Sequence, residues 1–226
     1  MSKKCYVLLS GGQDSTTCLY WAKTQFDEVI AIGFDYGQKH KHELKQAQQI
    51  ATLANVPYEI IDITGLLSGS SLTDFSQDVT QSHKKNDILP STFTAGRNML
   101  FLTLVASKGF NEDVFDIVTG VCQTDYSGYP DCRRNFIDSL EQSLNLAMLT
   151  DDSKSFKIHT PLMYLTKAET WKLAKELDIV EIVRTMTLTD YNGSTQMNEW
   201  GMGNIDNPAS ELRAKGYFKA KENGWV

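Results

Sequence analysis

The chain has 226 residues, 41% of them apolar and 22% charged, with a formal net charge of −6. That length suits one α/β domain with an appendage and can bury on the order of 70% of the surface of the unfolded chain. No run approaches the ~18 apolar residues of a membrane span, so no membrane partner is expected, and an acidic balance without a basic tract argues against nucleic acid as a main partner.

Tyr6-Val7-Leu8-Leu9 is an apolar run that predicts a buried strand, and a helix is predicted over about 15–23. A second apolar run over 28–34 ends in the polar tip Asp35-Tyr36-Gly37. A helix over about 41–54 and a strand over 58–62 follow. This β-α-β-α-β order, with crossovers of helical length, calls for a parallel, doubly wound, Rossmann-like sheet whose ligands sit outside the carboxyl ends of the strands. From 65 to 91 Ser, Thr, Asp, Gln and Lys dominate, which reads as a lid or mobile loop by an active site. Thr94-Ala95-Gly96-Arg97-Asn98 opens an apolar helix over 99–106, and 116–120 is the next strand. A helix over 133–148, an extended piece over 158–162 and a helix over 167–177, N-capped by Thr166, complete a domain over 1–180. Residues 181–226 are expected to form a small appendage of helix and loop.

Met-Ser-Lys-Lys leads into a strand too short for a signal-peptide core, so a cytoplasmic location is expected. Cys5, Cys18, Cys122 and Cys132 form no C-x-x-C pair. They read as core or near-site thiols in a reducing compartment, not as a disulfide framework or a four-thiolate zinc site.

Residues 8–15, Leu-Leu-Ser-Gly-Gly-Gln-Asp-Ser, place a glycine turn where a strand hands over to a helix. Gly11 and Gly12 let the backbone approach an anion with no Cβ in the way, and the helix start points free N–H groups at it. Ser10 and Ser15 add hydroxyl donors, and Asp14 is placed to hold a cation that accompanies phosphates. Neither Gly-x-x-x-x-Gly-Lys-[Ser/Thr] nor Gly-x-Gly-x-x-Gly occurs, which excludes a Walker A loop and disfavours a dinucleotide site. A Gly-Gly turn capped by serine is the plain structural reading; strand, loop and helix arriving in that order favour phosphate. Ser-Gly-Gly-x-Asp-Ser resembles the PP-loop of the ATP pyrophosphatases, which split ATP between the α and β phosphates and bind the released pyrophosphate.

The longer pattern resembles the 7-cyano-7-deazaguanine synthases, the QueC or ExsB family of the pathway to the tRNA nucleoside queuosine. The matching pieces are 10–18, 35–40, Gly96-Arg97-Asn98, 119–133, 159–162, 167–171 and 187–193, with 119–133 the most specific. The resemblance implies an adenine nucleotide α-hydrolase fold of PP-loop type and a carbon–nitrogen ligase that uses ATP twice. Its partners would be the small molecule 7-carboxy-7-deazaguanine and ammonia, with Mg²⁺ at the phosphates and a homodimer as the assembly. It implies ATP contacts at Ser10, Gly11, Gly12, Gln13, Asp14, Ser15, Thr16, Asp35, Tyr36, Gly96 and Arg97. Asp14, Arg97 and Lys167 would be catalytic through their charge. Gly120, Thr124, Asp125, Tyr126, Ser127, Gly128, Tyr129 and Asp131 would read the deazaguanine, carboxylates accepting from its N–H edge and tyrosines stacking on its ring. A surface ion pair is the ordinary role of Arg97 or Lys167, and local packing that of a tyrosine-rich loop. Neither His40 nor His159 is assigned as a base, an isolated histidine being more often structural.

Members of that family carry a zinc site built from one cysteine in Thr-Leu-Thr-Cys-Tyr-Asn and three in Cys-Gly-x-Cys-x-x-Cys. Here those positions fall on Asp190, Asn204, Asn207 and Ser210. One carboxylate with two amides and a hydroxyl is a poor tetrahedral zinc site, so no zinc is expected. Trp200 with Met197 and Met202, or Asp190 accepting from backbone N–H groups of the facing loop, is expected to close the scaffold instead. Two other functions stay open at this stage. Another PP-loop enzyme adenylating a tRNA base wants a cysteine pair or a basic extension, and neither is evident. A non-catalytic nucleotide- or deazapurine-binding homologue is disfavoured by the intact loop.

Overall fold

The computed structural model describes residues 2–38, 42–67, 70–71, 82–83, 86–124, 129–150, 153–190 and 193–226. In chain order the first elements are β1 (Lys4–Leu8), α1 (Gln13–Gln25), β2 (Glu28–Asp35), α2 (His42–Leu53), β3 (Tyr58–Asp62), β4 (Ser82–His83) and β5 (Asn86–Pro90). There follow α3 (Arg97–Glu112), β6 (Asp116–Val118), a 3-10 turn at Pro130–Cys132, α4 (Arg134–Met148), β7 (Lys157–His159) and α5 (Lys167–Glu176). The last are α6 (Val180–Met186), β8 (Met197–Asn198), β9 (Gly201–Met202) and α7 (Pro208–Glu222).

Five strands form one sheet in the order β3-β2-β1-β6-β7, and every pairing is parallel. Successive strand residues point to opposite faces, and β1 divides accordingly. Cys5 and Val7 join a core with Leu19 and Ala22 of α1 and Ala47 and Ile50 of α2. Tyr6 joins the opposite core with Leu102 and Val105 of α3 and Ile137 and Leu144 of α4. Helices therefore cover both faces, and the expected doubly wound α/β sheet is the observed one. The chain leaves β1 toward β2 and later returns to β1's other side with β6, so the strand order reverses at β1. Crevices at such reversals are where open α/β sheets take ligands.

A third core joins α5, α6 and α7 through Trp171, Ile179, Val183, Trp200, Ala214 and Tyr217. Thr166 caps α5 as its sequence implies: Thr166 Oγ1 accepts from Glu169 N at 3.3 Å, and Glu169 Oε2 accepts from Thr166 N at 2.7 Å. Gly216 lets α7 close on α5, because a Cβ there would stand 2.7 Å from Lys167 Cγ and 3.0 Å from Lys167 C.

Several expected boundaries move. Helix α3 continues to Glu112, past the expected end at 106, supported by the Lys108–Glu112 ion pair at 2.6 Å. Gly109 lies inside it at a close crossing rather than at its end: a Cβ there would sit 2.2 Å from Val114 O. The strand expected over 116–120 stops at Val118, and beyond His159 the extended piece turns, with Met163 N donating to Thr160 O. Part of the stretch read as a loop over 65–91 is an antiparallel ribbon, β4 with β5, which its polar composition did not signal. Residues 68–69, 72–81 and 84–85 of that stretch lie outside the described residues.

Candidate active site

The carboxyl end of β1 opens into Ser10-Gly11-Gly12. Gly11 takes φ +86°, and a Cβ on it would meet Glu43 O at 2.7 Å and Ala47 N at 2.9 Å. Only glycine satisfies both the left-handed backbone and the close approach of α2. Ser15 Oγ accepts from Ser10 N at 3.2 Å and lies 3.1 Å from Ser10 Oγ, so both hydroxyls turn into the loop. Gln13 and Thr16 are buried in the first turn of α1, and among the described residues neither the Gln13 amide nor Thr16 Oγ1 has a partner. Gly120, two residues past β6, abuts that same turn: a Cβ would lie 3.2 Å from Ser15 N. The structure thus places Gly120 against the phosphate loop, where it permits close packing.

Two of the residues expected to be catalytic meet directly. Lys167 Nζ donates to Asp14 Oδ2 at 2.9 Å and to Oδ1 at 3.0 Å, with the lysine side chain 9% exposed. The cation at Asp14 in this structure is a lysine ammonium carried in by α5. Arg213 adds a further positive charge: burial pulls its guanidinium down to about 10, and the charge of Asp14 resists that fall. It remains protonated at neutral pH.

Arg97 acts on two buried acidic groups near the glycine turn. It is the first residue of α3, following Gly96 at φ +72°. Burial raises the Tyr36 phenol, while the charge and hydrogen bond of Arg97 hold it back. Burial pushes the Glu43 carboxyl up to about 7, again opposed by Arg97. Asp35 shapes the strand tip, its Oδ1 accepting from Gly37 N at 3.1 Å. Glu43 escaped the sequence reading, since one glutamate in a polar helix start carries no signal until α2 is packed on the glycine turn.

The loop expected to read the base divides. Asp125, Tyr126, Ser127 and Gly128 lie outside the described residues, as does His40. Thr124 Oγ1 donates to Leu165 O. Tyr129 is buried, its hydroxyl 2.5 Å from Thr92 Oγ1. Asp131 is buried and caps α3, accepting from Asn98 N at 3.1 Å, which ties the loop to Arg97's helix. His159 Nε2 lies 2.6 Å from Asp116 Oδ1 and packs against Trp21 and Phe26, a structural setting at the sheet edge. None of the four cysteines forms a disulfide, and burial pushes Cys5 up to about 12 and Cys18 well above its ordinary value, as befits core thiols.

The positions of the family's zinc cysteines form a hydrogen-bonded staple. Asp190 Oδ2 accepts from Ser210 Oγ and from Asn204 N, each at 2.9 Å, and Oδ1 accepts from Ser194 N at 3.4 Å. Asn207 Oδ1 caps α7 by accepting from Ser210 N at 3.1 Å. With both carboxylate oxygens, the hydroxyl and the capping amide so committed, these residues do not fit a tetrahedral metal. Among the described residues no cluster of three His, Cys, Asp or Glu side chains could hold a metal ion. Trp200 and Met202 are buried beside the staple, whereas Met197 is 53% exposed, so the expected apolar substitute is made without it. No helix among the described residues is long and apolar enough to cross a membrane.

A parallel sheet reversing at β1 with a glycine turn feeding α1 is a doubly wound α/β fold whose ligand crevice falls at that reversal. A 4-thiouridine synthetase in complex with RNA and bound ATP shares the fold at TM-score 0.50 and 15% identity, covering 97% of this chain and 53% of that one. The family model described as queuosine biosynthesis protein QueC matches residues 4–221, and the chain belongs to that family. The 7-cyano-7-deazaguanine synthase of Bacteroides fragilis is 50% identical over 212 residues, covering 93% of this chain and 92% of its own. That of Clostridium novyi is 47% identical over 223 residues, covering 98% and 96%.

Proposed function

We propose that the chain converts 7-carboxy-7-deazaguanine and ammonia to 7-cyano-7-deazaguanine, consuming two ATP and releasing two AMP and two pyrophosphates. A carboxylate oxygen leaves poorly, so the carboxylate attacks the α-phosphate and pyrophosphate departs. Ammonia then displaces AMP to give an amide. The amide oxygen attacks a second ATP, and loss of AMP and protons leaves the nitrile. The observation that carries this reading is local: in a protein of net charge −6, the ammonium of Lys167 is bonded to Asp14 beside the glycine turn, while the charge of Arg97 acts on Glu43 and that of Arg213 is felt with Asp14. Positive groups fixed where pyrophosphate charge develops stabilise that charge with little reorganisation.

In this reading Ser10, Gly11, Gly12 and Ser15 cradle the β and γ phosphates, and Tyr36 and Arg97 face the nucleotide's other half. Asp14 and Ser15 supply oxygens of the kind Mg²⁺ accepts, and that ion, when bound with ATP, neutralises the leaving pyrophosphate. Lys167 moves between Asp14 and the phosphates. Asp131 orients Arg97's helix, and the deazaguanine is bound by residues 124–129. The protein acts as a cytoplasmic homodimer closed by the Asp190 staple instead of zinc.

The test is incubation with ATP, Mg²⁺, ammonia and 7-carboxy-7-deazaguanine, followed by mass spectrometry for AMP and the nitrile. AMP without nitrile would overturn the substrate assignment. Protein stripped with a chelator and resupplied with Mg²⁺ alone is expected to keep its activity; near-stoichiometric zinc in the purified protein would refute that part. Sedimentation velocity is expected to give the mass of two chains.

A further inference from the structure

We infer that Thr189 is a positioning residue of the phosphate loop, held in place by the Asp190 staple; this deepens the ATP-site reading given above and rests on it. A helix start leaves its first N–H groups without intrahelical partners, and an N-cap side chain ordinarily takes one of them. The N-cap of α1 is Gly12, which has no side chain to do so. The acceptor comes instead from far along the chain: Thr189 Oγ1 takes the hydrogen bond of Gln13 N at 3.0 Å. Leu188 N donates to Gly11 O at 3.1 Å, so the segment contacts the loop at two adjoining peptide units. It lies close, since a Cβ on Gly12 would stand 3.4 Å from Thr189 Oγ1 and 3.5 Å from Leu188 O.

The other side of the strap is clamped. Ser210 Oγ reaches both Thr189 O, at 3.2 Å, and Asp190 Oδ2, at 2.9 Å. Two residues before Thr189, Arg213 Nη1 donates to Thr187 O at 3.1 Å. Residues 187–190 are thus pinned by α7 on one side and pin the glycine turn on the other. Gln13 N is spent on Thr189, and the turn keeps the left-handed Gly11 that brings its neighbouring groups to an anion. Such preorganisation lowers the ordering cost of binding. The staple thereby fixes a side chain that reaches the nucleotide loop, beyond bracing the C-terminal segment.

Thr189→Val keeps the side chain's shape and removes the acceptor, and Thr189→Ser restores it. Magnesium-ATP binding is read by calorimetry without the deazaguanine, next to thermal melting and the ATP KM and kcat. Loss of a capping acceptor at the loop is expected to weaken ATP binding about tenfold and to raise the ATP KM similarly, with kcat changed less. The serine variant is expected to bind within about twofold of wild type, on the same cap energetics. Asp190→Ala, which unlatches the strap, is expected to weaken ATP binding in the same direction. Wild-type affinity in Thr189→Val, or failure of Thr189→Ser to recover it, overturns the inference. Because the titration needs no turnover, a wild-type chain that binds ATP and makes no nitrile defeats the substrate assignment while leaving Thr189 testable.

Discussion

Asp14 and Lys167 bond to one another in a largely buried setting, so each is positioned by the other. A lysine held this way stands at the first turn of α1 with its charge balanced. Lys167→Met is expected to cut initial AMP release by ~10²-fold, the scale set by removing a transition-state donor; a loss under tenfold would mark the pair as structural. Glu43 makes a different case. Burial raises its carboxyl from 4.5 to about 7, so between those values the folded chain keeps a proton that the unfolded chain releases. Its contribution to stability therefore falls as pH rises through that window. Glu43→Gln is expected to melt like wild type near pH 4 and to be more stable at pH 8 by about 2 kcal/mol, after allowance for partial exposure. Thermal melts across that pH range read the difference.

Among the elements, α7 sets the geometry of α5. Gly216 sits mid-helix, where glycine ordinarily costs about 1 kcal/mol against alanine. Here it admits the backbone and stem of Lys167. Gly216→Ala is expected to destabilise by about 1–3 kcal/mol despite the gain in helix propensity, through overpacking, and denaturant melts will show it. The strands of the sheet were legible because buried parallel strands read as continuous apolar runs, and Thr166 was legible because its capping box is local. The strand–glycine turn–helix handover was legible because its parts are contiguous in sequence. Gly120, Thr124 and Asp131 were singled out, yet their packing, carbonyl and capping partners depend on contacts that no local pattern encodes. Thr189 and Arg213 were missed for the same reason, since each acts on residues far away in sequence. Asp190 was legible by contrast, as a lone carboxylate standing where thiolates were expected.

At the scale of the molecule, two cores sandwich the sheet and a third couples α5, α6 and α7. Arg213 is fully buried in that third unit, lying between Trp171 and Trp200 and donating to Val183 O at 2.7 Å. Its guanidinium satisfies backbone carbonyls at the end of α6 and adds to the field at Asp14. Arg213→Met is expected to cost about 2–4 kcal/mol, because those carbonyls are left buried without donors. Calorimetric melting will measure it, and ATP affinity should fall with it. The Gln13–Thr189 and Asp14–Lys167 bonds also carry a consequence for synthesis. They span 176 and 153 residues, while domains tend to fold as the chain emerges from the ribosome. The glycine turn is made well before its partners, which follow 153 and 176 residues later in the chain. A nascent chain that has not yet reached Lys167 and Thr189 has the glycine turn without the two residues that hold it.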